Sequence, residues 1–312
     1  MTFQQLGELW FSVNKSSKEY NTKQSIRRIL NNHIYPSLGH LPLKYIKAYH
    51  IQELVNIKLN QGLTNTTQKM LNYIKSILNM AVDNDFIIKN VANSIKLPKF
   101  KAKEKQILSQ FEKDVIETVA KTHKYGDMIL TFMYTGMRRE ELIPLSKKDI
   151  NFIEGTISVN KAIYFNPNQA VLKSTKNKES RNIPLLNKIR PILESRCAGN
   201  NDFLFPMSNG NMMSQTSFRE AIESFKKACN IFVDKLNAEL PEGEKHNYIS
   251  FTPHIFRHNF CSFLYFANIG IKEAQEIMGH RSSKMTLDIY THLDSIRKKE
   301  VTTKLNDYID SN

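Results

Sequence analysis

The sequence predicts a mainly α protein with a small antiparallel β-sheet, an α+β fold in two domains, residues 1–103 and 104–312. Three observations lead there. Residues 1–100 carry four apolar stripes at helical spacing. A Pro- and Lys-rich stretch, Leu97 to Lys105, then breaks the periodicity. Beyond it helical stripes resume around two β-rich runs, 156–165 and 170–185.

The elements follow in order. Phe3, Leu6, Leu9, Trp10 and Val13 mark the first helix. Thr22 is placed to cap a second, carrying Ile26, Ile29, Leu30 and Ile34 and stopping near Pro36 and Gly39. Ile51, Leu54, Val55 and Leu59 mark a third, ended by Gly62. A fourth, about 66–82, turns Met70, Leu71, Ile74, Leu78 and Ala81 inward. The second domain opens on a capping box, Ser109 with Glu112. A helix over 127–134 ends at Thr135-Gly136, and the two β-rich runs form one small sheet. Helices are predicted over 186–198 and 214–232, the latter with Phe218, Ile222 and Phe225 inward. Thr252 and Pro253 suit the cap and first turn of a further helix. The next, 271–278, closes on Gly279. The tail carries Ile296, Val301, Leu305 and Ile309 at near-helical spacing.

Charge narrows the function. There are 44 Lys+Arg against 30 Asp+Glu, a net of +14. Residues 1–100 hold 13 basic and 5 acidic residues, so the excess is densest there. A basic protein with no membrane-type amphipathic segment points to nucleic acid. Lys15, Lys18, Lys23, Arg27, Arg28, Lys69 and Lys75 sit on the outward faces, and Lys101 and Lys103 in the linker. The bland alternative is a solvated basic surface. No apolar run is long enough to cross a bilayer, and no secretory leader is evident. Cys197, Cys229 and Cys261 form neither a zinc pattern nor a disulfide framework, which fits a reducing cytoplasm.

The chemistry concentrates around Thr252 to His258. A helix starting there projects His254, Arg257 and His258 from one face of its first turns. Its N–H groups and its dipole suit an oxyanion. A buried His and a surface Arg on an ordinary amphipathic helix would look the same in isolation. Four further pieces accompany it: TGMRREEL at 135–142, a basic turn from Lys173 to Arg181, GHRSS at 279–283 and DIYTH at 288–292.

In order and residue type these five pieces resemble the tyrosine recombinases, the phage and conjugative-transposon integrase family. The resemblance spans residues 107–292, and the N-terminal third resembles the family's core-site DNA-binding domain by pattern. It implies catalytic roles for Arg138, Lys176, His254, Arg257, His280 and Tyr290, with Glu141 and His258 in support. Lys173 and Lys178 rival Lys176, and Arg139 is the lesser choice beside Arg138. Ten residues separate His280 from Tyr290, as in the conjugative-transposon and Gram-positive phage branch. Members of that branch often carry a small arm-binding domain ahead of the helical one; this chain begins at the helical domain.

The roles follow from the transition state. A phosphodiester in transfer spreads charge over its non-bridging oxygens. With no metal and no cofactor implied, Arg138 and Arg257 would meet that charge, each as a planar fork that keeps its proton. Tyr290 is the implied nucleophile, His254 its base and Lys176 the acid for the leaving 5′-oxygen. His280 would hydrogen-bond a phosphate oxygen, and Glu141 would hold Arg138. The implied partners are double-stranded DNA, three further copies in a tetramer around two duplexes, and an accessory directionality factor. The competing readings are a chromosome-dimer resolvase, a type IB topoisomerase and a DNA-binding regulator without catalysis.

Overall fold

The structure, a computed structural model, describes residues 1–15, 20–98, 107–173, 180–294 and Ile309. The chain divides into two compact units, Met1–Lys103 and Glu104–Asn312, each with its own buried core. The expected roles of Lys18, Lys101, Lys103, Lys176 and Lys178, of the Lys15 side chain, and of the tail apart from Ile309 lie outside the described residues.

The first unit is helical. Helices α1 (Phe3–Lys15), α2 (Tyr20–Ile29), α3 (Ala48–Asn60) and α4 (Thr64–Asp83) close around Phe3, Leu6, Trp10, Leu30, Ile34, Ile51 and Ile74. All five residues assigned inward on α4 are buried. Two expectations are corrected. Leu9 and Val13 are exposed, because they lie at the edge of the α1 stripe whose centre is Phe3, Leu6 and Trp10. Thr22 lies inside α2 and does not cap it. The chain then continues through a wider π-type turn, Leu30–Gly39, which contains Pro36 and ends at Gly39.

In the second unit Ser109 and Glu112 form the reciprocal cap of α5 (Gln110–Ala120), with bonds of 2.8 and 3.2 Å. Helix α6 (Gly126–Thr135) and the single turn α7 (Arg139–Leu142) follow. Strands β1 (Ile150–Asn151), β2 (Thr156–Val159), β3 (Ile163–Asn166), β4 (Gln169–Leu172) and β5 (Arg181–Pro184) come next. They form two sheets, not the single sheet expected: β1-β2-β5 and the hairpin β3-β4, both antiparallel. The first β-rich run breaks because Asn160 and Lys161 turn away from the ladder. Asn160 Nδ2 donates to Asp149 at 3.3 Å, and Lys161 Nζ pairs with Asp149 at 2.8 Å.

Helix α8 (Arg190–Ala198) starts later than expected, with Pro191 in its first turn. Helix α9 (Gln215–Asn237) runs on past its expected end, and buries Phe218, Ile222 and Phe225. Helices α10 (Pro253–Phe266), α11 (Ile271–Met278) and α12 (283–294) complete the described fold. Gly136 explains how α6 meets α10. Its φ of +59° is left-handed, and a Cβ there would come within 2.5 Å of the Phe260 ring. That close approach brings Arg257, one turn earlier on α10, to the end of α6.

Candidate active site

Three of the expected residues, Arg138, Arg257 and His280, gather at the C-terminal end of α11. An α-helix leaves its last carbonyls without intrahelical donors, and its dipole makes that end negative. Gly279 takes φ +61°, which ends α11 and turns the chain toward His280. Arg257 Nη2 donates to the Met278 carbonyl, and its Nη1 to the Gly136 carbonyl at 2.7 Å. Arg138 Nη2 donates to the Gly279 carbonyl at 2.8 Å. Two arginines from distant stretches are thus held on adjacent carbonyls of one helix end.

Glu141 fixes Arg138 from the other side. Its carboxylate accepts from the Arg138 backbone N–H and from Nη1, both at 2.8 Å. Burial alone would raise the Glu141 pKa. The hydrogen bonds and charge of Arg181, then those of Arg138, more than offset this and bring it to about 2. Arg139 goes elsewhere: it pairs with Glu140 at 2.7 Å and lies 4.9 Å from the Phe165 ring centre.

His280 is 6% exposed, and its Nδ1 lies 2.8 Å from the buried Thr286 hydroxyl. Burial first, then the charges of Arg257 and Arg138, lower its pKa to about 4. The imidazole is therefore neutral at physiological pH. Arg257 is lowered to about 9 by burial and then by Arg138, and stays a cation at that pH.

Beside this cluster opens a cleft of about 1080 Å³, lined by Arg138, Glu141, Lys161, Lys173, Arg181, His280 and Arg281 among others. Tyr290 and His254 are not among the lining residues. Tyr290, on α12, is 7% exposed; its hydroxyl donates to the Ile269 carbonyl at 3.1 Å and its ring meets Tyr265 edge-on at 5.1 Å. Burial and the neighbouring Cys261 push the phenol up to about 12. His254 is exposed on the first turn of α10, 6.2 Å from the half-buried His258 ring. The Thr252 side chain makes no capping bond to that turn.

The sequence does not reveal Arg181, Thr286 or the carbonyls of Gly136, Ile277, Met278 and Gly279 as participants. A Thr six residues after a histidine and backbone carbonyls carry no motif. Arg181 stood in the basic turn as one cation among several.

In the first unit Arg28 and Lys69 are exposed and Lys23 is half-buried. Arg27 is committed to Glu8 and lies over the Phe11 ring, and Lys75 Nζ donates to the Ile95 carbonyl at 3.2 Å. These two contacts spend donors that the sequence reading gave to DNA.

The sequence matches the Phage integrase family over residues 101–297 and the Phage integrase central domain over 3–97. The chain belongs to the phage integrase family. This tyrosine recombinase is 26% identical to a XerC-like tyrosine recombinase of Caldanaerobacter subterraneus, over 97% of this chain and 83% of that one. It is 24% identical to the integrase of Staphylococcus phage L54a, over 98% and 92%. Its fold is similar to that of the Tn1549 transposon integrase solved with a circular-intermediate DNA. The TM-score is 0.78 at 24% identity, covering 97% of this chain and 99% of that one. Among the described residues no helix is long and apolar enough to cross a membrane.

Proposed function

We propose that this recombinase integrates and excises a mobile element, cutting double-stranded DNA through a 3′-phosphotyrosine on Tyr290. The observation that carries this reading is the joint seating of Arg138 and Arg257 on the α11 carbonyls beside a neutral His280. Two fixed guanidinium groups and one neutral imidazole suit a phosphoryl group whose charge moves onto non-bridging oxygens. Rigid donors need no reorganisation at the moment of reaction.

In the proposed sequence Tyr290 leaves the Ile269 carbonyl and turns toward the cleft. His254 takes the phenolic proton, since a phenol attacks well only as its oxyanion. The phenolate oxygen forms a bond to the scissile phosphorus, and the bond to the 5′-oxygen breaks. A lysine of the basic turn, Lys176 or its rival Lys173, gives that oxygen its proton. His280 Nε2 donates to a phosphate oxygen while Nδ1 accepts from Thr286. Glu141 and His258 support the arginines and His254. One phosphodiester is exchanged for one phosphotyrosine, so the reverse attack by a 5′-hydroxyl needs no ATP. The DNA substrate calls for four protomers around two duplexes, and reversal of direction for an accessory factor.

The likeness to a XerC-like recombinase favours one second reading, resolution of chromosome dimers by the same chemistry. Mapping covalent protein–DNA adducts across the host and element DNA, in excess EDTA, decides between them. Adducts at an element junction support integration, and adducts at one chromosomal site away from any element support dimer resolution. No adduct in either would leave a DNA-binding regulator.

A further inference from the structure

Arg181 is the last residue of the basic turn and the first of β5, and does more than pair with one acid. Its Nε donates to the Ile277 carbonyl at 2.9 Å. Its two terminal nitrogens grip the two oxygens of Glu141, at 3.0 and 2.6 Å. Ile277, Met278 and Gly279 are successive residues, and their carbonyls accept from Arg181, Arg257 and Arg138 in that order. The helix end therefore holds three guanidinium groups side by side, and Arg181 takes the carbonyl farthest from the terminus. The fit is close. A Cβ on Gly279 would come within 2.9 Å of the Arg181 side chain.

We propose that Arg181 is a positioning residue for the transfer reaction, acting through Glu141 on Arg138. This rests on the proposed catalytic role of Arg138. Glu141 accepts four hydrogen bonds, two from Arg138 and two from Arg181. Without Arg181 it loses two of them and gains freedom to rotate. Arg138 then keeps its charge but loses its fixed place. Displacement by about 1 Å costs on the order of 100-fold in rate when orientation supplies the catalysis. Lysine cannot replace this arginine, because one ammonium cannot bridge both carboxylate oxygens and a carbonyl. Arg181 also ties the strand after the basic turn to the same carboxylate, so the acid-bearing turn and the phosphate-binding arginine share one anchor.

A simple structural ion pair would predict lost stability with normal chemistry. The test is a single-turnover rate of covalent adduct formation on the half-site recovered by adduct mapping, with half-site affinity measured in parallel. Arg181→Met is expected to slow adduct formation by about 100-fold while affinity stays within about twofold. Arg181→Lys, which keeps the charge and guards against misfolding, is expected to fall by at least about tenfold. In a Glu141→Gln background either change is expected to add less than about threefold, since the route through the carboxylate is already cut. Unchanged rates in both Arg181 variants, or effects that multiply fully with Glu141→Gln, would overturn the proposal. So would an affinity that falls in step with the rate, because Arg181 would then be holding phosphate itself. A native protein that forms no adduct on any DNA brings down the proposed chemistry and this role together. A native adduct with unimpaired Arg181 variants brings down this role alone.

Discussion

The Tyr290 hydroxyl donates to the Ile269 carbonyl at 3.1 Å, so the proposed nucleophile is spent on backbone just ahead of α11 and is not among the residues that line the cleft. The contact is intramolecular and modest. One neutral hydrogen bond contributes about 1 kcal/mol net, which DNA contacts easily exceed. In the proposed mechanism this is the resting position from which the tyrosine is drawn out, and burial keeps the phenol protonated there.

Tyr290→Phe should therefore abolish covalent attachment to DNA and leave DNA affinity within about twofold. Only the hydroxyl is lost, and the destabilisation should not exceed about 1 kcal/mol. A denaturing gel after incubation with the half-site reads it directly, and an adduct in the Phe variant excludes Tyr290 as nucleophile.

Acid should destabilise the second unit in two steps. His280 titrates at about 4 in the fold against 6.5 when unfolded. As pH falls from 6.5 to 4 the unfolded chain binds a proton that the native one refuses, and up to about 3 kcal/mol is lost. Glu141 is at about 2 in the fold against 4.5, so its contribution disappears between 4.5 and 2, in the same direction. His123 of the same unit is lowered as well, so the native slope is not His280's alone. The difference between native and His280→Gln in urea midpoints from pH 7 to 4.5 isolates it. The variant should show a visibly flatter profile; parallel profiles would mean that His280 is not held neutral.

Much of this was legible in the chain, for reasons that can be named. The Ser109–Glu112 cap, the turn glycines Gly136 and Gly279 and the inward stripe of α4 rest on local chemistry within a few residues. The motif positions rest on order and spacing. What escaped depends on contacts between distant residues. Arg181 meets Glu141 across 40 residues and Ile277 across 96, and no periodicity encodes such a pairing. The division into two sheets turns on where Asn160 and Lys161 find Asp149. The inward turn of Tyr290 is a rotamer choice set by Ile269 and Tyr265, which spacing cannot reveal.

The leaving-group acid can be assigned by changing the leaving group. Lys176→Ala should slow cleavage of ordinary DNA by about 100-fold or more, the range for a lost general acid. On DNA with sulfur at the 5′-bridging position the loss should be under about tenfold, because a thiolate departs without a proton. Equal slowing on both substrates moves the role to Lys173, which lines the cleft, or to Lys178.

Exposed cations of the first unit should account for part of the salt dependence. Each phosphate contact adds about 0.9 to the log–log slope of affinity against salt on duplex DNA. Arg28→Ala and Lys69→Ala should each flatten that slope by about this amount. Arg27→Ala should change it less, because Glu8 and Phe11 already engage that guanidinium. Unchanged slopes for Arg28 and Lys69 would make them ordinary solvated surface.

The C-terminal tail should couple protomers. Ile296, Val301, Leu305 and Ile309 recur at near-helical spacing, and Ile309 is exposed. A short amphipathic segment gains little stability on its own and needs a surface for its apolar stripe. In the proposed function, strand exchange between two duplexes calls for four protomers with cleavage restricted to alternate ones. A tail docked on a neighbour would supply that order. It begins a few residues after Tyr290, so its docking also bears on α12 and on whether the tyrosine leaves Ile269. Deleting residues 296–312 should leave monomer binding to a half-site within about twofold, while synapsis and paired cleavage are lost. Sedimentation of the deletion variant on a two-site DNA reads the outcome. A full tetramer with normal strand exchange would mean that the tail docks on its own protomer and that another surface joins the four.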